Sequence, residues 1–152
     1  MLQRLVARFP VLVAALWWGS LTTVGFLVVP LLFAYLPSPA MAGSMAARLF
    51  AAQTWVSVGC GLLVLMLSRS KEVTAGAPWP PITLILVLAG LLLALLAEFA
   101  VAPRIVAREN LQLWHSLGSG MYALQWLCAG GVLWQFAGMG HALPAAQGAE
   151  TS

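Results

Sequence analysis

Residues Phe9 to Tyr35 read FPVLVAALWWGSLTTVGFLVVPLLFAY, and this stretch decides the fold class. It carries no charge; its polar residues are Gly, Ser and Thr. A membrane-spanning helix needs about 20 mostly apolar residues, and this run exceeds that. The run is Leu-, Val- and Ala-rich without strict alternation. That pattern favours a helix over a barrel strand of about 10 alternating residues. Arg4 and Arg8 precede it, as in a signal peptide, but a signal core is only about 7–15 residues. Retention as a spanning helix is expected.

The rest of the chain repeats the pattern. An uncharged stretch, Leu49 to Ser68, lies between Arg48 and Arg69. A third apolar stretch runs from Ile82 to Ala102 and contains Glu98. A fourth runs from Trp114 to Ala137. The expected architecture is all-α, an integral membrane four-helix bundle. Its spans fall at about 9–36, 47–68, 82–103 and 113–137, followed by a flexible polar tail over 138–152. Composition agrees. Of 152 residues, 62% are hydrophobic and 7% charged, with a mean hydropathy of +0.95. A soluble domain carries about 25% charged residues. A chain with so few charges cannot cover a water-facing surface, and disorder needs low hydrophobicity.

Connections are marked by proline and charge. Pro37-Ser38-Pro39 ends the first span. Arg69 to Pro81 forms the middle connection, stiffened by Ala77-Pro78-Trp79-Pro80-Pro81. Pro103 closes the third span, and Arg104 to Glu109 follow. Four spans put both termini on one side with Arg4, Arg8, Arg69 and Lys71. Arg48, Arg104 and Arg108 fall on the other. The positive-inside rule therefore favours cytoplasmic termini, more so if the second set is absorbed into the protein. A bacterial inner-membrane location is expected.

Two halves of the chain read alike. Phe26-Leu27-Val28-Val29-Pro30-Leu31-Leu32-Phe33-Ala34 lies over Phe99-Ala100-Val101-Ala102-Pro103-Arg104-Ile105-Val106-Ala107 at an offset of 73 residues. Phe50-Ala51-Ala52-Gln53 lies over Tyr122-Ala123-Leu124-Gln125 at an offset of 72. The pattern suggests two parallel helical-hairpin repeats, an arrangement known in transporters. Apolar segments of low diversity also align by chance. In the first span Ala15, Gly19 and Thr23 form a ridge of small residues, a packing signal.

Glu98 is the acid expected inside a span, where a carboxylate costs roughly 3 kcal/mol on insertion scales. Arg104, Arg108, His115 and Arg48 fall toward the same membrane face. On the fourth helix His115, Ser119, Tyr122 and Trp126 share a face that should look into the bundle. On the second, Arg48, Ala52, Trp55 and Gly59 share another. The candidate polar cluster is therefore Glu98, Arg104, Arg108, His115, Arg48 and Tyr122. It reads either as a charge pair pinning the bundle or as a site handling protons or a ligand.

No metal centre or cofactor is expected. His115, Met41 and Met45 could offer imidazole or thioether ligands, the latter suited to Cu(I). Met as a packing filler is the plainer account. Cys60 and Cys128 fall mid-span and read as small apolar groups. Nothing resembles a phosphate loop, a catalytic triad or a nucleic-acid surface.

Trp17-Trp18-Gly19, Val28-Val29-Pro30-Leu31-Leu32-Phe33, Ala42-Gly43 and Arg48-Leu49-Phe50 together resemble the membrane domain of unknown function 4149, which is related to eukaryotic transmembrane protein 205. Glu98-Phe99, Ala102-Pro103-Arg104 and Trp114-His115-Ser116-Leu117 resemble its second half. The resemblance covers residues 10 to 135. It implies a four-helix, mostly bacterial membrane protein of unestablished activity. A more distant similarity to copper-resistance D-type domains would call for more His and Met ligands than this chain has.

These readings lead to a non-catalytic structural or accessory membrane component. Its partners would be the lipid bilayer and a homo-oligomer or another membrane protein, with no nucleic acid. The alternatives are a small-solute or copper-like permeation or resistance module using Glu98, His115 and the arginines, and a haem-linked membrane redox protein.

Overall fold

The computed structural model describes residues 2–75, 80–107 and 109–139. They form four helices and, among the described residues, no strand. The first helix is α over Leu2–Thr22, π over Thr23–Val28 and α over Val29–Tyr35. The second is α over Pro39–Ala75. The third is α over Pro81–Leu96, π over Ala97–Val101 and α over Ala102–Val106. The fourth is α over Leu111–Met139. Phe9–Tyr35, Pro39–Leu67 and Pro81–Val106 are long and apolar enough to cross a membrane. The chain is an all-α, multi-pass membrane protein. Arg108 and residues 140–152, including most of the expected tail, lie outside the described residues.

Each helix packs on its two neighbours in a ring. The first contacts the second and fourth, and the third contacts the same two. The core fills the half of the bundle nearer the termini. Trp17, Leu21, Val64, Val87 and Val132 are its largest fully buried side chains there, with Ala14, Cys60 and Ala129 between them. Gly90 lets the third helix come close to the first, since a Cβ there would meet the Trp17 ring at 2.9 Å. Cys60 and Cys128 are buried free thiols. Leu12, Leu16, Leu62, Leu88, Leu92 and Leu127 project outward, as the lipid-facing surface of a spanning bundle requires.

The second helix begins earlier than its uncharged run suggests. Ser38 is its N-cap: its Oγ accepts from the Met41 N–H at 3.3 Å, and its carbonyl accepts from Ala42 N–H at 3.1 Å. Pro39 occupies the first helical position, where its missing N–H costs nothing. Arg48 therefore lies well within the helix and inside the apolar stretch Pro39–Leu67, so Glu98 is not the sole charge within a span.

The first and third helices share an irregularity. In each, a π-helical turn ends two residues before a proline, at Val28 before Pro30 and at Val101 before Pro103. Val29 N–H bonds Val24 C=O, and Ala102 N–H bonds Ala97 C=O, five residues back in both cases. A proline interrupts the i→i−4 ladder, and a π turn inserts one residue to absorb the mismatch. In the first helix Thr22 and Thr23 also turn their hydroxyls back to Trp18 and Gly19 carbonyls, at 2.8 and 2.9 Å. Such back-bonding loosens and bends helices.

Two expected packing faces look the other way. Ala15 and Thr23 are exposed, and nothing lies within 4 Å of a Cβ built at Gly19, so the small-residue ridge is not a seam within this bundle. On the second helix Arg48, Ala52, Trp55 and Gly59 face outward. The inward face is Ala42, Ala46, Gln53, Ser57, Cys60 and Val64. Small residues and hydrogen-bonding amides win that face because they pack closely and satisfy each other.

Candidate functional site

Beyond the core the helices part. The π turn and the final α segment of the first helix bury no residue, and neither does the last segment of the third. The opening is a cavity of about 450 Å³ at the end of the bundle away from the termini. All four helices wall it. The first gives Gly25, Phe26, Val29 and Phe33, and the second gives Ala46, Phe50 and Gln53. The third gives Glu98, Val101 and Ile105, and the fourth gives His115, Ser119, Tyr122 and Gln125. Both π turns contribute, through Gly25 and Phe26 on one side and Ala97, Glu98 and Val101 on the other.

The inner end of the cavity is polar and tied across helices. Gln53 Nε2 donates to Ser20 Oγ at 2.9 Å and to Ser57 Oγ at 3.4 Å. Gln125 Nε2 donates to the same Ser57 Oγ at 2.9 Å. Gln53, Ser57 and Gln125 are buried, so this network joins the first, second and fourth helices where water cannot compete. Alongside it Tyr122 donates its hydroxyl to the Leu21 carbonyl at 2.8 Å, and Trp126 Nε1 donates to Thr22 Oγ1 at 2.8 Å. The Tyr122 ring lies against Gly25, where any Cβ would overlap it. The polar-aromatic face of the fourth helix thus looks into the bundle and the cavity.

Phe50 meets Tyr122 edge-on, with ring centroids 5.2 Å apart. Phe26 meets Trp126 in the same way at 5.5 Å. The remaining wall is aliphatic except for the Phe33 ring and the polar Glu98, Thr54, His115 and Ser119.

Of the expected cluster, Glu98, His115 and Tyr122 come together around the cavity. Arg48 and Arg104 do not. Arg48 is exposed on the outer face of the second helix. Arg104 sits 4.6 Å over the Trp114 ring and 3.9 Å from Glu109, with both charged side chains more than half exposed. The chain reverses beside this pair, at Asn110, whose φ of 34° is one that asparagine tolerates. Arg108 lies outside the described residues. Of the arginines expected near Glu98, the two described ones are thus turned away (Arg48) or engaged elsewhere (Arg104). Among the described residues the Glu98 side chain, half-buried, makes no hydrogen bond or ion pair, and neither does that of His115. Because Arg48 and Arg104 are exposed, they are not absorbed into the protein interior.

Met41 and Met45 are exposed on the second helix and neither lines the cavity. Among the described residues no group of three or more His, Cys, Asp or Glu is placed to hold a metal ion.

Residues 12–112 match the model of the family described as "Domain of unknown function (DUF4149)". The chain belongs to this family. Neither a curated protein nor a solved structure matches it. The DUF4149 match takes in the first helix from residue 12 onward, the second and third helices, both π turns and Glu98, and ends just inside the fourth helix. His115, Tyr122 and Gln125 lie beyond it, as does Trp114-His115-Ser116-Leu117.

Proposed function

We propose that this DUF4149 protein is a non-catalytic component of the bacterial inner membrane that admits a small molecule into the cavity between its helices. The observation that carries the reading is the position of Glu98. The acid stands in a π turn, on the wall of a cavity of about 450 Å³, without a partner among the described residues. A carboxylate that only pinned the bundle would be expected to be paired. A cavity of that size suits a small ligand, and π turns recur at functional sites. Four basic residues on the side of the termini against three on the other support cytoplasmic termini in this reading.

The chain also reads as a duplicated hairpin. The π turns and prolines recur at the 73-residue offset, which brings Glu98 onto Gly25. Gln53 and Gln125, paired at the 72-residue offset, both donate to Ser57, and their neighbours Phe50 and Tyr122 are in contact. On this reading the halves diverged at the cavity. One kept a glycine against Tyr122 and the other acquired the acid.

Cysteine accessibility in membranes tests the binding reading. Ser119→Cys should react with a water-soluble maleimide several-fold faster than the lipid-facing Leu127→Cys, and Ala102→Trp should slow it by filling the cavity. Equal rates at positions 119 and 127 would mean a cavity closed to water, and the reading would fail.

A further inference from the structure

We infer that the cavity selects a small organic monocation with an apolar or aromatic body, such as a quaternary ammonium compound. This rests on the binding reading above and names its ligand class. Three observations converge on it. Glu98 supplies the acidic charge of the wall, and neither Arg48 nor Arg104 reaches it. His115 is the basic side chain of the wall among the described residues, and it forms no ion pair with Glu98. Phe26, Phe33, Phe50 and Tyr122 bring four rings from three helices to the same space.

A carboxylate on a largely apolar wall is less well hydrated than one in bulk water and gains by taking in a counter-charge. An inorganic cation would enter at the cost of its own water shell. The wall offers few oxygens to replace that shell, and no group of three or more metal-ligating residues exists among the described residues. An organic cation is weakly hydrated, and its apolar groups match the aliphatic and aromatic wall. Its charge is attracted by the carboxylate, and aromatic side chains on the wall add a cation–π contribution where a ring face meets it. An anion would meet Glu98 and ring quadrupoles of the wrong sign. The polar inner end, Gln53 and Gln125 fastened to Ser57, has amides that can bond a ligand's neutral polar end.

The test uses two water-soluble aromatic ions of similar shape and opposite charge, benzyltrimethylammonium and phenylmethanesulfonate. Binding to the full chain in nanodiscs is measured by equilibrium dialysis or saturation-transfer NMR, against empty nanodiscs. Benzyltrimethylammonium should bind saturably and the sulfonate should not. Glu98→Gln should weaken the cation roughly tenfold, less than the loss of a fully buried, hydrogen-bonded charge partner costs, because Glu98 is half-buried and a quaternary ammonium offers no hydrogen bond. Phe50→Leu should weaken it less while preserving the preference for the cation. Thermal unfolding of each variant identifies any loss caused by misfolding, and Glu98→Asp, which keeps the charge, should retain binding. Equal or better binding of the sulfonate, or cation binding indifferent to Glu98→Gln in a folded variant, would overturn the inference while leaving the binding reading in place. Absence of saturable binding by both ions overturns it too. The Ser119→Cys labelling rate then decides whether the binding reading falls with it.

Discussion

Ser57 is small, fully buried and central to how this bundle holds its shape. Its hydroxyl accepts from Gln53 and from Gln125, so one oxygen joins the second helix to the fourth, and Gln53 extends the link to Ser20 on the first. In lipid no hydrophobic force draws helices together, and interhelical hydrogen bonds and close packing take its place. Ser57→Ala removes the shared acceptor and leaves two amides short of a partner. It should destabilise the bundle by about 1–2 kcal/mol, read as a lowered thermal unfolding midpoint in detergent. Ser44→Ala removes an exposed hydroxyl bonded only to its own helix at Met41, and should change the midpoint little. Equal effects would mean that the network contributes nothing beyond local packing. The two glutamines were visible in the sequence as a matched pair, but their meeting at Ser57 was not. Serine is common and uninformative in an apolar run, and the second helix shows its inward face only when its neighbours are in place. The same limit explains Arg48. Grouping it with Glu98 followed from membrane depth, which topology supplies. Which way a residue faces around the helix depends on packing, and here Arg48 faces out.

At the scale of the element, the π turns distinguish the first and third helices from regular spans. Pro103 was legible as the close of the third span, and its match to Pro30 at an offset of 73 residues was legible as a repeat. The extra residue inserted ahead of each was not, because a π turn has no compositional signature comparable to a proline or a cap. The start of the second helix was legible in principle: Ser38-Pro39 is an N-cap followed by a proline at the first helical position. Lack of charge was the signal followed instead, and it marks apolar length rather than helix ends. The π turns matter because the final segments of both helices bury nothing, and the cavity opens between them. Restoring the missing N–H should let the third helix close. Pro103→Ala should raise the thermal midpoint slightly, by about 1 kcal/mol in stability, a modest share of the helix-interior penalty of proline. It should also slow maleimide labelling at Ser119→Cys several-fold. If labelling is unchanged, the parting of the helices does not depend on the proline.

For the whole molecule, the open matter is the path of the fourth helix. It is not among the helices that qualify as spans by apolar composition, because Gln125, Gln135 and several glycines lower its average. An average taken around the whole circumference is a poor guide to a helix whose polar groups turn inward. Gln125 is buried against Ser57, Tyr122 bonds Leu21, and Trp126 bonds Thr22. Leu117, Leu124, Leu127 and Trp134 face outward, an apolar surface fit for lipid. The helix packs along both the first and the third, which do qualify as spans, and its 29 residues extend about 43 Å. A helix lying alongside two spanning helices for that length crosses with them. The chain should then cross four times, with both termini on one side and the turn at Pro37-Ser38-Pro39 on the other. Reporter fusions after Ala40 and after Ser152 should give periplasmic and cytoplasmic signals, respectively. The same side for both would mean that the fourth helix does not cross. Exchanged signals would keep four crossings and reverse the orientation, placing the mouth of the cavity on the cytoplasmic side.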